Sequence, residues 1–363
     1  MTLLIRQTLR QCFGQAAEAH PGLLLQKGLP EIEENGNGQP QENESGEASP
    51  KTAHIKRMCN ILAPDRYMRA FDRWNDLTAD STRFERCVMK LENRMLIGLS
   101  GTGALETGCT LSHCHGMPYI PGSSIKGVVR AWAEKQLPGK QKIIQQLLGT
   151  PQNELLPNLA GVVNFHDAWW IPNNQKPFVQ EIVTSHHKDY YADGGATPAS
   201  DLDSPVPNAL IGVRGSFLFV LEGRTEYTGP AMKMLKRALQ ENGIGAKTAS
   251  GYGYMRPDQK QENRLQGETR QRMEEREDAR LTDTHRIIKN LTQMLEKKES
   301  SHASGHLRQA LKQAIGGATG WPHSDLLALQ QVTIDCVRYW DPRKKNRKLK
   351  ELKKEVEDLL NGN

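Results

Sequence analysis

The sequence has few cysteines, six in 363 residues, at 12, 59, 87, 109, 114 and 336. They are too sparse for a disulfide framework, so a reduced, cytoplasmic protein is expected. Long apolar runs are missing too. The longest, Leu210–Leu221, spans 12 residues and carries Arg214, short of the roughly 20 that cross a bilayer. No membrane partner is expected. The opening residues, MTLLIRQTLR, lack the continuous apolar core of a secretory signal. Arg6 and Arg10 with no early acid faintly resemble an organelle transit peptide, and a plain surface helix is the simpler reading. There is no G-x-S-x-G nucleophile motif, no Gly-Lys-Ser/Thr opening a helix, and no Asp/Glu set at metal-ligand spacing. No cofactor is therefore expected.

Charge is present but unevenly spread. The chain has 48 Lys+Arg against 42 Asp+Glu, a formal charge of +6, with 25% charged and 37% hydrophobic residues. That balance fits a folded chain, and the length suggests two domains. Residues 31–50, EIEENGNGQPQENESGEASP, hold six acids and no base, leaving 48 bases against 36 acids, +12, elsewhere. Residues 31–52 read as an acidic disordered linker behind an N-terminal arm at 1–30. At the other end Arg343–Lys354, RKKNRKLKELKK, has eight bases in twelve residues. Leu349, Leu352, Val356 and Leu359 recur at spacings of three and four, which predicts an amphipathic helix with a basic start. A nucleic-acid contact and a solvated helix face both fit it.

Between these ends the pattern is mixed. Ala53–Asp80 reads as helix, with Ile55, Met58, Ile61 and Leu62 on one face and Trp74 and Leu77 extending it past Pro64. Phe84, Val88, Leu91 and Met95–Leu99 suit one strand or a bent pair, followed by a turn at Gly101–Gly103. Ser123 or Ser124 is expected to cap a helix whose buried stripe is Ile125, Val128, Val129 and Trp132. Strands are expected at Gly161–Phe165 and across Leu210–Leu221, a helix at Ala231–Glu241 closed by Gly243, and then a short strand. The order is close to a βαββαβ unit. The predicted fold is therefore α+β: a ferredoxin-like (RRM-like) core at 53–255 with a long irregular insertion at about 166–209, a charged linker or helix at 256–280, and an all-helical extension at 281–363.

Four segments carry the residue types of a site. Gly243–Tyr254, GIGAKTASGYGY, has four glycines that let another group approach the backbone. Lys247 brings charge, Thr248 and Ser250 hydroxyls, and Tyr252 and Tyr254 faces for stacking. These are the means of gripping a sugar-phosphate backbone, and a mobile glycine loop would look the same. Pro121–Arg130, PGSSIKGVVR, offers helix-start N–H groups, the hydroxyls of Ser123 and Ser124, and Lys126 and Arg130 on one face. An ordinary capped helix also fits. Cys109, His113, Cys114 and His115 invite a zinc reading, but no clear second ligand pair exists, so no metal is expected. Thr184–Tyr191, TSHHKDYY, places His186, His187, Lys188, Tyr190 and Tyr191 in a loop suited to RNA contact, to acid–base cleavage or to plain packing.

Taken in order, these segments resemble the RAMP superfamily of CRISPR-associated proteins. The resemblance rests on Gly22-Leu23-Leu24-Leu25, GALETGCTLSHCHGMPYIPGSSIKGVVR at 103–130, VTSHHKDYY at 183–191, DSPVPNALIGV at 203–213 and the Gly-rich loop at 243–254. It covers roughly 20–30 and 83–255. Within the superfamily the sequence is most similar to the sixth-subunit family of the Cmr (type III-B) effector complex. The acidic insert and the last hundred residues depart from that pattern. The resemblance implies a non-catalytic RNA-binding backbone subunit, with guide RNA (crRNA), its target RNA duplex and other Cmr-type subunits as partners. Gly243, Gly245, Lys247, Thr248, Ser250, Gly251 and Tyr252 would then cradle the guide near its 3′ side. Ser123, Ser124, Lys126 and Arg130 would flank it. The 186–191 loop would touch RNA or the next subunit. Two other readings stay open. One is a metal-independent ribonuclease processing precursor guide through His113, His115, His186 or His187. The other is a protein-only scaffold.

Overall fold

The computed structural model describes residues 2–3, 20–29, 31–32, 50–100, 105, 107–150, 159–173, 175–203, 205–297, 303–340 and 347–361. Most of the N-terminal arm and acidic linker, the Gly101–Gly103 turn and residues 341–346 lie outside them. The chain divides into two compact units, Met1–Thr269 and Arg270–Asn363.

The first unit runs β1 (Thr2–Leu3), α1 (Pro21–Lys27), β2 (Glu31–Ile32), α2 (Pro50–Met58), α3 (Asp65–Leu77), β3 (Phe84–Leu91) and β4 (Tyr119–Ile120). It continues with α4 (Gly122–Gln136), α5 (Gln141–Leu148), β5 (Asn164–Phe165), β6 (Ala168–Trp170), β7 (Phe178–Ser185), α6 (Lys188–Ala192), β8 (Val206–Val213), β9 (Ser216–Glu222), α7 (Thr225–Glu241) and β10 (Met255–Pro257). Helix α8 (Gln259–Arg280) follows. Its central sheet has the order β10-β3-β9-β6-β4, with β5 also on β9, and every pairing is antiparallel.

Strand register sorts the core into two faces. Cys87, Met89 and Leu91 of β3 and Phe217, Phe219 and Leu221 of β9 point into a core shared with Val129, Trp132, Leu235 and Leu239 of α4 and α7. Phe84, Val88, Leu218 and Val220 point the other way, onto Phe71 of α3 and Leu265 of α8. A strand covered on both faces needs no polar alternation, which is why β9 reads as the unbroken run SFLFVL.

Several expectations are corrected. Leu210–Leu221 is two strands in different sheets, broken at Arg214-Gly215. Gly215 has φ +112°, and a Cβ there would stand 2.6 Å from the indole nitrogen of Trp170. That indole N–H donates to Arg214 O (2.9 Å), tying the break to β6. The expected irregular insertion at 166–209 instead contains β6, β7 and α6, and β7 pairs with β8 over its whole length in a separate two-stranded sheet. Of the strand expected at Gly161–Phe165, only Asn164–Phe165 forms. The 53–80 helix is two helices broken at Pro64, and Leu62 and Leu77 are exposed. Helix α7 begins six residues before Ala231 and carries Pro230 inside.

The second unit contains α9 (Asp283–Glu296), α10 (Ala303–Gly316), α11 (His323–Trp340) and α12 (Arg347–Asn361). Leu291, Leu307, Leu311, Ile315, Leu326, Leu329, Cys336, Leu352 and Val356 form its own core. The buried carboxylate of Asp325 is held by the hydroxyls of Thr284 and Ser324. Among the described residues no helix is long and apolar enough to cross a membrane.

Gly215→Ala is expected to lower stability by more than about 1 kcal/mol, because alanine meets both a left-handed backbone and the Trp170 ring. A urea midpoint that stays at the wild-type value would show that the β8–β9 break does not depend on this glycine.

Candidate nucleic-acid interface

The loop between α7 and β10 is shaped by close approach. Gly243, Gly245, Gly251 and Gly253 have positive φ, and Lys247 shares it at 58°. A Cβ on Gly245 would stand 2.4 Å from Leu96 O, and one on Gly253 1.9 Å from Ile244 O. The loop therefore lies flat on the chain leaving β3. Ala246 N–H donates to Leu96 O (2.7 Å) and Gly253 N–H to Arg94 O (2.8 Å). The tip stands clear of these anchors: Lys247, Ala249, Ser250 and Gly251 are exposed, and Thr248 is half-buried in a 3-10 turn.

Tyr252 is turned inward as a further anchor. Its hydroxyl donates to Glu181 Oε2 on β7 (2.9 Å), and Arg94 makes an ion pair with the same carboxylate. Glu181 is only 7% exposed. Met95 pairs with Val213 on β8, and Leu96 with Ala246. Residues 94–96 thus bind the glycine loop to the β7–β8 hairpin in one connected surface.

The β3–β10 pair that follows the loop carries positive charge. Lys90 and Arg256 are both exposed and stand directly opposite in the β3–β10 register. Like charges so placed repel, and an anion between them relieves the repulsion. Sequence reasoning missed Lys90, Arg94 and Arg256 as site residues. The outward position of Lys90 in the β3 alternation was the available signal. Glu181 carried none, since one carboxylate on a strand makes no pattern.

The far end of the hairpin holds the loop at 186–191. His186 is exposed, and His187 Nδ1 is 2.9 Å from Asp203 Oδ2. Tyr190 and Tyr191 meet edge to face at 5.4 Å, and Tyr191 is 73% exposed. Lys188 opens α6.

The PGSSIKGVVR segment does not join this surface. Gly122 packs against Phe165 O, and Phe165 pairs with Leu221, which pairs with Glu85. The glycine loop adjoins Leu91 through Met255. Six residues of β3 separate the two, about 20 Å. Ser123 and Ser124 are exposed in the first turn, but neither caps α4; Pro121 is the N-cap, and Asp167 Oδ1 accepts the Gly122 N–H at 2.8 Å. Lys126 is half-buried. Arg130 donates to Leu148 O (2.9 Å) and Gly149 O (2.8 Å), closing the C-terminus of α5. Its guanidinium is thereby committed to packing.

The histidines do not gather either. His115 packs on Tyr67 and Trp169, whereas His186 and His187 pack on each other. Among the described residues no group of three His, Cys, Asp or Glu is placed to hold a metal ion. Burial pushes the Cys109 thiol up to about 12.

Residues 89–256 match the RAMP superfamily. This segment is similar to RAMP proteins. The chain is 27% identical over 250 residues to the CRISPR Cmr subunit Cmr6 of Pyrococcus furiosus, covering 52% of this chain and 70% of that relative. It is 30% identical over 163 residues to the Cmr6 of Saccharolobus solfataricus, covering 44% of this chain and about half, 52%, of that relative. A chain in the cryo-EM structure of a type III-B Cmr-beta complex bound to cognate target RNA superposes with a TM-score of 0.47 at 22% identity, over 57% of this chain and 71% of that one. Within the matched residues the glycine loop and the hairpin are joined through Arg94.

Tyr252→Phe removes a hydrogen bond to a buried carboxylate and is expected to cost about 1.5 kcal/mol. Urea unfolding measures it, and an unchanged midpoint would mean that the loop and hairpin are held without this bond.

Proposed function

We propose that this chain is a non-catalytic, RNA-binding backbone subunit of a cytoplasmic type III-B CRISPR ribonucleoprotein. It holds crRNA toward its 3′ side, meets the crRNA–target duplex and contacts neighbouring Cmr-type subunits. One observation carries the reading: in a chain similar to Cmr6, the glycine loop is pinned flat and leaves Lys247, Ser250 and Gly251 exposed, and it leads into β10, where the exposed Arg256 stands opposite Lys90. Backbone N–H groups, hydroxyls and cations on a fixed surface suit phosphates, which position RNA without reading its sequence. Base pairing would then supply the specificity, by analogy with guide-directed DNA recognition.

The sheet supports a ferredoxin-like core. Taking β3, β6, β9 and β10 as the four strands in chain order, the spatial order is 4-1-3-2, all antiparallel, with β4 added at the edge. The working division is the one read from the sequence, with the RAMP core at 53–255 and the helical extension at 281–363. The loop with His186, His187, Lys188, Tyr190 and Tyr191 projects from the hairpin as a second contact, to RNA or to the next subunit. Ser123, Ser124 and Lys126 would meet RNA on a different stretch from the one on the glycine loop.

Lys247→Ala in the full chain is expected to weaken binding to a 20-nucleotide RNA and to lower the slope of log K against log salt by about one. The same affinity and slope as wild type would remove Lys247 from the interface.

A further inference from the structure

The first unit carries a second surface with ligand chemistry of its own. A cleft of about 210 Å³ is lined by Ser112, His113, Tyr119, Asp167 and Trp169. It lies beside the start of α4, where Asp167 bonds Gly122. Trp169 is half-buried and held in a stack, 5.7 Å and 15° from Tyr67 and 6.2 Å and 21° from Trp74. Tyr119 is half-buried and His113 exposed. Asp167 gives one carboxylate oxygen to the Gly122 N–H, which leaves Oδ2 to accept from a ligand.

Helix α3, which carries Asp65, Asp72 and Asp76, also brings three arginines near the rim. Arg66, Arg69 and Arg73 are exposed on α3 at spacings of three and four, so they form one stripe. Tyr67, next to Arg66 on α3, lines the cleft, and Trp74, next to Arg73, stacks on its Trp169, so this stripe borders the cleft.

These features select an occupant. The volume is below the roughly 300–1,000 Å³ of drug-sized sites, so it takes one flat group. With Trp169 stacked between Tyr67 and Trp74, the rings of Tyr119 and His113 are the ones that suit stacking. The carboxylate suits an amine donor, and the arginine stripe suits phosphates.

We propose that this cleft holds one unpaired nucleobase of a single-stranded RNA, its exocyclic amine on Asp167 and its phosphates along the α3 arginine stripe. The proposal rests on the RNA-binding reading above but not on the glycine loop.

Ultraviolet crosslinking of the full chain to a ten-residue oligoadenylate, with mapping of the adducts, tests it. Adducts at 111–119 or 167–170 are expected. Adducts confined to 243–254 or 186–191 would overturn the cleft and leave the RNA-binding reading standing. No binding to any RNA would overturn both. The His113→Ala/Tyr119→Ala variant is expected to weaken oligoadenylate binding about tenfold at an unchanged thermal midpoint. Asp167→Asn keeps an oxygen for Gly122 but puts an N–H₂ where the base amine would donate, so it narrows the preference for oligoadenylate over oligouridylate. Unchanged RNA affinity and preference in both variants would overturn the proposal. So would loss of a co-purifying protein with RNA affinity intact.

Discussion

The carboxylate of Glu181 is the constraint on which the candidate interface depends. A buried carboxylate is costly unless it is paired. Its partners are Arg94, from the chain leaving β3, and Tyr252, from the glycine loop. Three segments far apart in sequence are therefore fixed together. Removing either partner leaves charge in a site that is 7% exposed. Main-chain bonds from Ala246 and Gly253 hold the loop flat, and the Glu181 bracket adds its position relative to the hairpin. An RNA backbone meeting this surface finds groups already in place, so little ordering cost falls on binding.

Coverage of the sheet sets a second limit. The open face on which RRM aromatics stack bases is closed here by Phe71 and Trp74 of α3 and Leu265 of α8. The proposed RNA contacts accordingly lie on loops and edges: the glycine loop, the hairpin end, the Lys90–Arg256 pair and the start of α4. This suits a subunit that grips a backbone more than one that reads bases in series.

The sequence made the parts legible unevenly. The glycine loop was readable because four glycines in twelve residues have few structural uses, although their reason is packing on Leu96 and Ile244 and not mobility. Helices α4 and α7 were readable from their apolar stripes. The β8–β9 break was hidden because Arg214 and Gly215 sit in an apolar run that both strands share. Strand β7 was missed because its partner was assigned to β9. Arg130 read as a surface base because its i+4 partner is visible in sequence, whereas the carbonyls of Leu148 and Gly149 are not. The distance between PGSSIKGVVR and the glycine loop follows from register across three strands, which local patterns do not encode.

The most direct measurement is amide hydrogen exchange of the full chain with and without a bound 20-nucleotide RNA. Slowed exchange at residues 246–251 and at 186–191, with the helices of 281–361 unchanged, is the result this account predicts. Slowed exchange confined to the helices of 281–361 would contradict it, because the RNA would then be held by the helical unit and not by the loops that Glu181 organises.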